Sequence, residues 1–263
     1  MPTKRNRKTT KPVAKAIDYK QLLQDALTLE GQLSNCYRVF HNYSFSNQIL
    51  AMMQIGAQPI STYLGWKHLG RQVKAGSHAI SLYMPVTIKD REHLDQAGEP
   101  TVKQVFVYRA NWFGLDQTDG APYKMPDAIP FDKSTVLTSL GITEVPFAIS
   151  NGNVQGYAEG MDLAINPVAE DPLSTMFHEL GHIVLGHTDK TIDHSPRGVS
   201  EVEAEAVAYI LCSVFEYTKP MADMRGYIQN WNKANDGISK DSAKRIFKAV
   251  SDILKANSDQ LEN

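Results

Sequence analysis

The sequence predicts an α+β protein built from two domains. Its 263 residues exceed the ~150 that are usual for one domain. Hydrophobic residues make up 42% of the chain, which is enough to bury sizeable cores. Segments with apolar residues at helical spacing occur beside segments in which apolar and polar residues alternate. The stretch Asp116–Pro130, rich in Gly, Pro and Asp, predicts a linker between a front half and a rear half.

The front half is predicted to be a small helical and stranded domain, residues 17–125. Apolar periodicity, turn residues and a hydrophilic stretch locate its elements. In order these are a helix from Tyr19 to about Val39, a helix that reaches Ile55, a helix, turn and strand from Thr62 to Pro85, a loop Lys89–Pro100, and a strand Val102–Tyr108.

The rear half, residues 131–263, is predicted to combine short strands with longer helices. The strands come first because alternating apolar residues precede the strongly periodic segments. The predicted elements are a short helix near Ser134–Leu140, strands at Phe147–Ile149, Gly156–Glu159 and Asp162–Ile165, and helices at Pro172–Leu185, Ser200–Tyr217, through Tyr227 and Trp231, and Lys240–Lys255.

Charge is distributed unevenly, although the net charge is only −2. Residues 1–16 hold six bases and no acid, which predicts a basic disordered arm. Such an arm is either a solvated tail or a segment that adds sequence-independent affinity for nucleic acid. The arm alone does not distinguish between these two roles.

Cysteine content and hydropathy predict a cytoplasmic protein that does not cross a membrane. Cys36 and Cys212 have neither a metal-ligand spacing nor the pattern of a disulfide framework, which is typical of a reducing compartment. The longest apolar run, Ala206–Phe215, is about half the length of a membrane span. No apolar segment follows the N-terminal bases, which argues against a secretory signal.

The run His178-Glu179-Leu180-Gly181-His182 predicts a metal site on a helix. Two histidines four residues apart lie ~40° apart on a helix, on nearly the opposite side from its apolar residues. Each imidazole can therefore offer one nitrogen to a single Zn²⁺, and Glu179 can reach the position where water would bind. The alternative is a surface helix with two solvated histidines.

A hydrolytic zinc site needs a third protein ligand and one open position. The segment that follows, on the predicted helix Ser200–Tyr217, places Glu201 and Glu205 on one stripe and Glu203 on the other side. We expect Glu201 to be the third ligand and Glu205 to hydrogen-bond the second nitrogen of a ligand histidine. The alternative for this helix is an acidic face turned to solvent.

These motifs resemble known families. The segment His178–His182 followed by Glu201-x-x-Ala204-Glu205-x-Val207-Ala208 resembles the gluzincin pattern of ImmA/IrrE-type metallopeptidases. The front half is similar to the N-terminal single-stranded-DNA-binding domain of ArdC-type antirestriction proteins. The residues that carry this second resemblance are Tyr43–Leu50, Gly65-Trp66, Gly70–Gly76, Ile80, Pro85 and Phe113–Thr118, and Tyr227–Trp231 resembles a C-terminal helix of the same proteins.

The resemblance implies a protein of plasmids or other mobile elements that protects incoming DNA from restriction. It implies single-stranded DNA as a partner and a zincin-like rear domain that acts on a protein or peptide substrate. From the residues themselves, Trp66 or Tyr63 would offer a stacking plane. The cations beside it, which would contact the DNA backbone, are Lys67, Arg71 and Lys74. Helical spacing also allows Trp66 to belong to a core.

The sequence therefore predicts a zinc peptidase with a separate DNA-binding domain. Zn²⁺ would be held by His178, His182 and Glu201, and Glu179 would take a proton from the attacking water and pass it to the leaving amine. The alternative is a DNA-binding protection protein in which the zinc is structural or vestigial. The sequence assigns no role to His187 and His194, and Tyr157 as an oxyanion donor is a guess.

Overall fold

The protein has an α+β fold, described by a computed structural model. The structure describes residues 17–29, 31–94, 100–149, 153–189, 191, 196–235 and 237–258. The predicted basic arm, residues 1–16, and His194 lie outside these ranges. Within these ranges, no helix combines the length and the apolar character that a bilayer span requires.

The front half contains more elements than its periodicity predicted. They are α1 (Tyr19–Thr28), α2 (Leu33–Phe40), α3 (Phe45–Ile55), β1 (Ile60–Thr62), α4 (Tyr63–His68), β2 (Arg71–Val73), β3 (Ile80–Leu94), β4 (Pro100–Gly114) and β5 (Thr118–Gly120). The single helix predicted from Tyr19 to Val39 was wrong. Gly31, with a left-handed φ of 71°, lies between α1 and α2 and separates them.

Two predicted boundaries in the front half were also wrong. The strand predicted to end at Pro85 continues, because Pro85 pairs with Phe106 inside a long antiparallel hairpin of β3 and β4. In the described sheet β3 is an edge strand, where a proline is tolerated. The helix predicted from Thr62 ends at His68, and Arg71–Val73 forms β2, which pairs with β5.

The rear half follows its predicted elements closely. It contains α5 (Lys133–Leu140), β6 (Thr143–Glu144), β7 (Gly156–Glu159), β8 (Asp162–Ile165), α6 (Pro172–Leu185), α7 (Arg197–Val214), α8 (Met221–Ala234) and α9 (Lys240–Ser258). The predicted bounds of β7, β8 and α6 are confirmed. The strand predicted at Phe147–Ile149 is absent, and β6 instead pairs with β8 in parallel.

The chain forms two compact units, and their boundaries differ from the two predicted domains. Residues Ile60–Ala121 form one unit, with a sheet in the order β1-β4-β3 and the β2-β5 pair. Asp18–Pro59 join the chain from Pro122 onward in the other unit. The apolar faces of α1, α2 and α3 explain this difference, because they pack on helices of the rear half, and amphipathic periodicity does not reveal which surface will cover a helix.

The core of the larger unit is built around α7. From Val202 to Val214 every residue except Glu205 is buried, and α2, α6, α8 and α9 all contact this helix. The alternative of an acidic face turned to solvent was therefore wrong. The front helices reach this core through α9, where the Tyr37 hydroxyl donates to the Leu254 carbonyl oxygen at 2.9 Å.

Close approach of α6 to α7 depends on a glycine. A Cβ atom at Gly181 would lie 3.3 Å from both the Cα and the carbonyl oxygen of Ala204, and 3.4 Å from the Cβ of Val207. These distances are tighter than ordinary van der Waals contact. Gly181 and Ala204 therefore set the spacing between the two helices.

We expect Gly181→Ala to lower the free energy of unfolding by about 1 kcal/mol in urea denaturation. Overpacking costs about 1–3 kcal/mol, which exceeds the ~1 kcal/mol gained from the higher helix propensity of alanine. Gly226→Ala in α8 is the matched control, because a Cβ there has nothing within 4 Å. Equal stabilisation of the protein by both substitutions would contradict the packing argument.

Candidate functional site

The two histidines of the motif project from α6 toward α7. Asp171 precedes the helix, and Pro172 occupies its first turn, where a missing N–H costs nothing. His178 and His182 lie one turn apart, and their Nε2 atoms are 3.1 Å from each other. Both rings are half-buried, so α6 presents two imidazole nitrogens at one point.

Glu201 on α7 completes a group of three ligand atoms. Its Oε2 lies 3.4 Å from Nε2 of His178 and 3.6 Å from Nε2 of His182. Tetrahedral bonds of ~2.0–2.2 Å place ligand atoms about 3.3–3.6 Å apart, and the three observed separations are close to that range. Among the residues that the structure describes, this is the group whose donor atoms could hold a metal ion. The donor set suits a divalent metal.

Each histidine has a partner for its second ring nitrogen. Nδ1 of His178 lies 2.9 Å from Oε2 of Glu205, one turn after Glu201 on α7. Nδ1 of His182 lies 3.0 Å from Nδ1 of His187, a residue to which the sequence assigned no role. These hydrogen bonds to Nδ1 fix the orientation of both rings, which is usual for histidines that bind metals.

Charges of opposite sign meet in this partly buried site. Burial favours the neutral ring of His178, but its hydrogen bonds to Glu201 and Glu205 outweigh that effect and raise its pKa to about 9. Hydrogen bonds from His178 and His182 hold the pKa of Glu201 well below its ordinary range. Burial raises the pKa of Glu179, although the two histidines oppose the rise. The hydrogen bonds of the site therefore favour a protonated His178 ring and an ionised Glu201.

The three ligand atoms face an open cleft of about 860 Å³. Glu179 lines this cleft beside the histidines, but it is not one of the three residues that could bind a metal. Strand β7 also lines the cleft, and Tyr157 on that strand contacts the ring of Phe147 at 5.8 Å between centroids. The arrangement places a carboxylate, a metal-binding group and a strand around one space.

In the other unit, the structure separates the predicted DNA-binding residues. Trp66 is only 1% exposed, and its indole N–H donates to the Phe113 carbonyl oxygen at 2.8 Å. Trp66 therefore belongs to a core, and its prediction as a stacking plane was wrong. Lys67 is exposed on the same helix, and Tyr63 is 46% exposed.

Arg71 and Lys74 both bind the chain itself. The guanidinium of Arg71 donates to the hydroxyl of Thr118 at 2.8 Å, to its carbonyl oxygen at 3.0 Å and to the carbonyl oxygen of Ala121. Nζ of Lys74 donates to the carbonyl oxygen of Asp116 at 2.8 Å. Arg71 thus links β2 to β5, and its contact with DNA stays a prediction. Lys74 keeps a half-exposed side chain.

Residues 18–113 match the family model of the N-terminal domain of anti-restriction factor ArdC. Two crystal structures of antirestriction ArdC protein from plasmid R388 are similar to nearly the whole chain. The metal-free structure has 19% identity and a TM-score of 0.51, and the match covers 91% of this chain and 95% of that chain. The Mn(II)-bound structure has 20% identity and a TM-score of 0.50, with 94% and 98% covered. No curated protein matches the chain.

Residues 18–113 therefore form a domain of the ArdC N-terminal family, and the chain has the fold of the ArdC structures. The family model establishes the N-terminal domain, and the solved structures establish the fold of the rest. The matched segment, residues 18–113, covers most of the front domain predicted from the sequence. Structural grouping nevertheless places Asp18–Pro59 with the rear half.

Sequence reasoning missed two members of the site. Nε2 of His187 lies 3.1 Å from Oε2 of Glu203, and Oε1 of Glu203 lies 2.5 Å from Nη2 of Arg245 on α9. The sequence carried a signal for His187, because a glycine at the end of a helix commonly brings the next residue against the last turn. No sequence signal pointed to the distant Arg245.

We expect metal binding near pH 7.5 to release close to one proton. The pKa of His178 is about 9, so its ring is protonated near pH 7.5 when no metal is bound. An imidazole that binds a metal must be neutral. Isothermal titration calorimetry with Zn²⁺ in buffers of different ionisation enthalpy measures this proton count. A proton count well below one near pH 7.5 would contradict protonation of the His178 ring.

Proposed function

We propose that this ArdC-type chain is an antirestriction protein of a mobile element that joins a single-stranded-DNA-binding domain to a zinc-dependent peptidase. The observation that carries the peptidase half is the position of Glu179. It lies in the same cleft as the three ligand atoms of His178, His182 and Glu201 without belonging to the ligand group. A site that only holds the fold together needs no such carboxylate.

The open cleft supports catalysis over a structural role for the metal. Structural zinc sites close the ion off with four protein ligands, whereas catalytic sites use three and leave one position for water or substrate. Three donors converge here, and the described cleft lies in front of them. Zn²⁺ is the proposed ion, because two imidazoles and one carboxylate are a common donor set of hydrolytic zinc enzymes.

An extended peptide is the substrate that the walls of the cleft favour. In the described sheet, β7 lies at the edge, since the strand order is β6-β8-β7. An edge strand offers backbone N–H and C=O groups to an extended chain, and β7 lines the same cleft as the histidines. A peptide paired with β7 would therefore pass in front of the three ligand atoms.

The proposed mechanism assigns a task to each residue. Zn²⁺, when bound, supplies Lewis acidity that polarises the scissile carbonyl and acidifies water. His178, His182 and Glu201 hold it, and Glu205 orients the His178 ring through Nδ1. Glu179 removes a proton from the attacking water and delivers it to the leaving amine, a role that its raised pKa favours.

Glu179→Gln is expected to abolish peptide hydrolysis while zinc remains bound, because Glu179 is the base and not a ligand. Cleavage is measured on a library of unstructured peptides by mass spectrometry, and zinc by elemental analysis. Loss of a general base should lower the rate by about 10²–10⁴-fold. Glu170→Gln, an exposed carboxylate outside the cleft, is the matched control.

Two results would contradict the peptidase. One is loss of zinc in Glu179→Gln, which would make Glu179 a ligand. The other is an absence of hydrolysis in the parent protein together with unchanged restriction protection in Glu179→Gln. That second result would favour the binding-protein alternative, in which the metal has no catalytic role.

For DNA binding, the exposed face of α4 is the surface we propose. Tyr63 and Lys67 lie four residues apart, so they share one face of the helix. The Tyr63 hydroxyl accepts a hydrogen bond from the Gln72 amide at 2.7 Å, which fixes the ring at the surface. An exposed aromatic ring beside a cation suits binding of single strands without sequence preference.

Tyr63→Ala in the full chain should weaken single-stranded DNA binding about 5- to 100-fold in an anisotropy titration, as expected for loss of one stacked base. Tyr63→Phe should bind nearly as tightly as the parent, because it keeps the ring. Leu64→Ala, at an exposed neighbouring position, is the control for a general change in this helix. Equal affinity of all three variants would remove α4 from the interface.

A further inference from the structure

We propose that His187 and Glu203 position the metal ligand His182 through a hydrogen-bond relay that starts at Arg245. This inference rests on the proposed metal site. His187 and Glu203 are positioning residues, since neither offers an atom to the group of ligand atoms. The relay gives His182 the support that Glu205 gives His178 directly.

The contacts allow a single arrangement of protons when a metal is bound. Nε2 of His182 must be unprotonated to bind the ion, so its Nδ1 carries the proton and donates to Nδ1 of His187 at 3.0 Å. His187 is then protonated at Nε2, which donates to Oε2 of Glu203 at 3.1 Å. The carboxylate at the end of the relay thereby selects the tautomer of a ligand two hydrogen bonds away.

The burial and the ion pair of Glu203 also indicate a role at the site. It is 0% exposed, and its Oε1 lies 2.5 Å from Nη2 of Arg245 on α9. The Arg245 side chain is 44% exposed, so only the carboxylate of this pair is fully buried. Well-packed apolar residues often stabilise a core as well as a buried charge does. A buried carboxylate that faces the partner of a metal ligand therefore points to a role at the site.

The end of α6 aims His187 at His182. Gly186 has a left-handed φ of 81°, and the His187 N–H donates to the His182 carbonyl oxygen at 2.9 Å. This cap commonly brings an apolar residue against the last turn. The end of α5 has this apolar version of the cap. Gly141 has a φ of 67°, and the Ile142 N–H donates to the Leu137 carbonyl oxygen at 2.8 Å. In α6 a histidine takes the place of the apolar residue.

The first test compares two substitutions at His187. His187→Asn keeps an oxygen that can accept from Nδ1 of His182, whereas His187→Leu fills a similar volume without an acceptor. We expect His187→Leu to bind Zn²⁺ about 10- to 100-fold more weakly in a chelator competition, and His187→Asn to stay within about threefold of the parent. Urea denaturation of the metal-free variants separates this effect from stability. The proposal would be overturned if His187→Leu bound Zn²⁺ as tightly as the parent. It would also be overturned if His187→Asn bound Zn²⁺ as weakly as His187→Leu.

The second test leaves every side chain of the relay in place. Gly186→Ala strains the left-handed cap that aims His187, and Gly141→Ala strains the matching cap of α5, with no atom within 4 Å of either added Cβ. Both should destabilise the protein similarly, but only Gly186→Ala should weaken Zn²⁺ binding. Equal Zn²⁺ affinity in the two variants would overturn the relay even if His187→Leu fails to fold.

Glu201→Ala separates this inference from the proposed metal site. Loss of Zn²⁺ in Glu201→Ala together with full affinity in His187→Leu and Gly186→Ala would overturn the relay and leave the metal site standing. Zn²⁺ bound equally by Glu201→Ala and the parent would refute the metal site, and the relay would fall with it. Weakened binding in all three variants supports both.

Discussion

The close packing of α6 on α7 is the constraint on which the rest of the structure depends. The histidines stand on one helix and the carboxylates that face them on the other. A glycine at residue 181 and an alanine at residue 204 let the two backbones approach closely. Because ligand atoms must meet within a few tenths of an ångström of metal-ligand geometry, larger side chains at this crossing would separate the two halves of the site.

This packing has an electrostatic consequence. Glu201, Glu203 and Glu205 lie on a helix that is otherwise nearly all buried, so each needs a partner inside the protein. Imidazoles of α6 pair with Glu201 and Glu205. Glu203 pairs with Arg245 and His187. The histidines, the acids and the arginine therefore form one network, which extends from α9 to the cleft.

Regular periodicity allowed the sequence to predict the elements that carry the site. The bounds of β7, β8 and α6 were predicted correctly. Predictions failed where contacts with residues distant in sequence determine the local structure or the burial of a side chain. Trp66 has the periodicity of a helix face, but only the position of Phe113 shows that the ring is buried. Pro85 stays within a strand because β3 lies at the edge of its sheet.

His187 is an instructive omission. The sequence assigned no role to this residue. The helix ends at Leu185, as predicted, and the left-handed glycine that follows turns His187 back onto the last turn. Cap chemistry was readable in the sequence Gly186-His187, whereas Glu203 and Arg245 lie 16 and 58 positions further along, where local patterns give no information.

Without a metal, charges of opposite sign in the site balance one another. The His178 ring, whose pKa is raised by its hydrogen bonds to Glu201 and Glu205, lies between these two carboxylates, so a protonated ring would supply part of the positive charge that a divalent ion brings. Structural zinc sites lack such a substitute, and their domains unfold when the metal leaves. Here an incoming ion would replace a proton within a site whose helices are already packed.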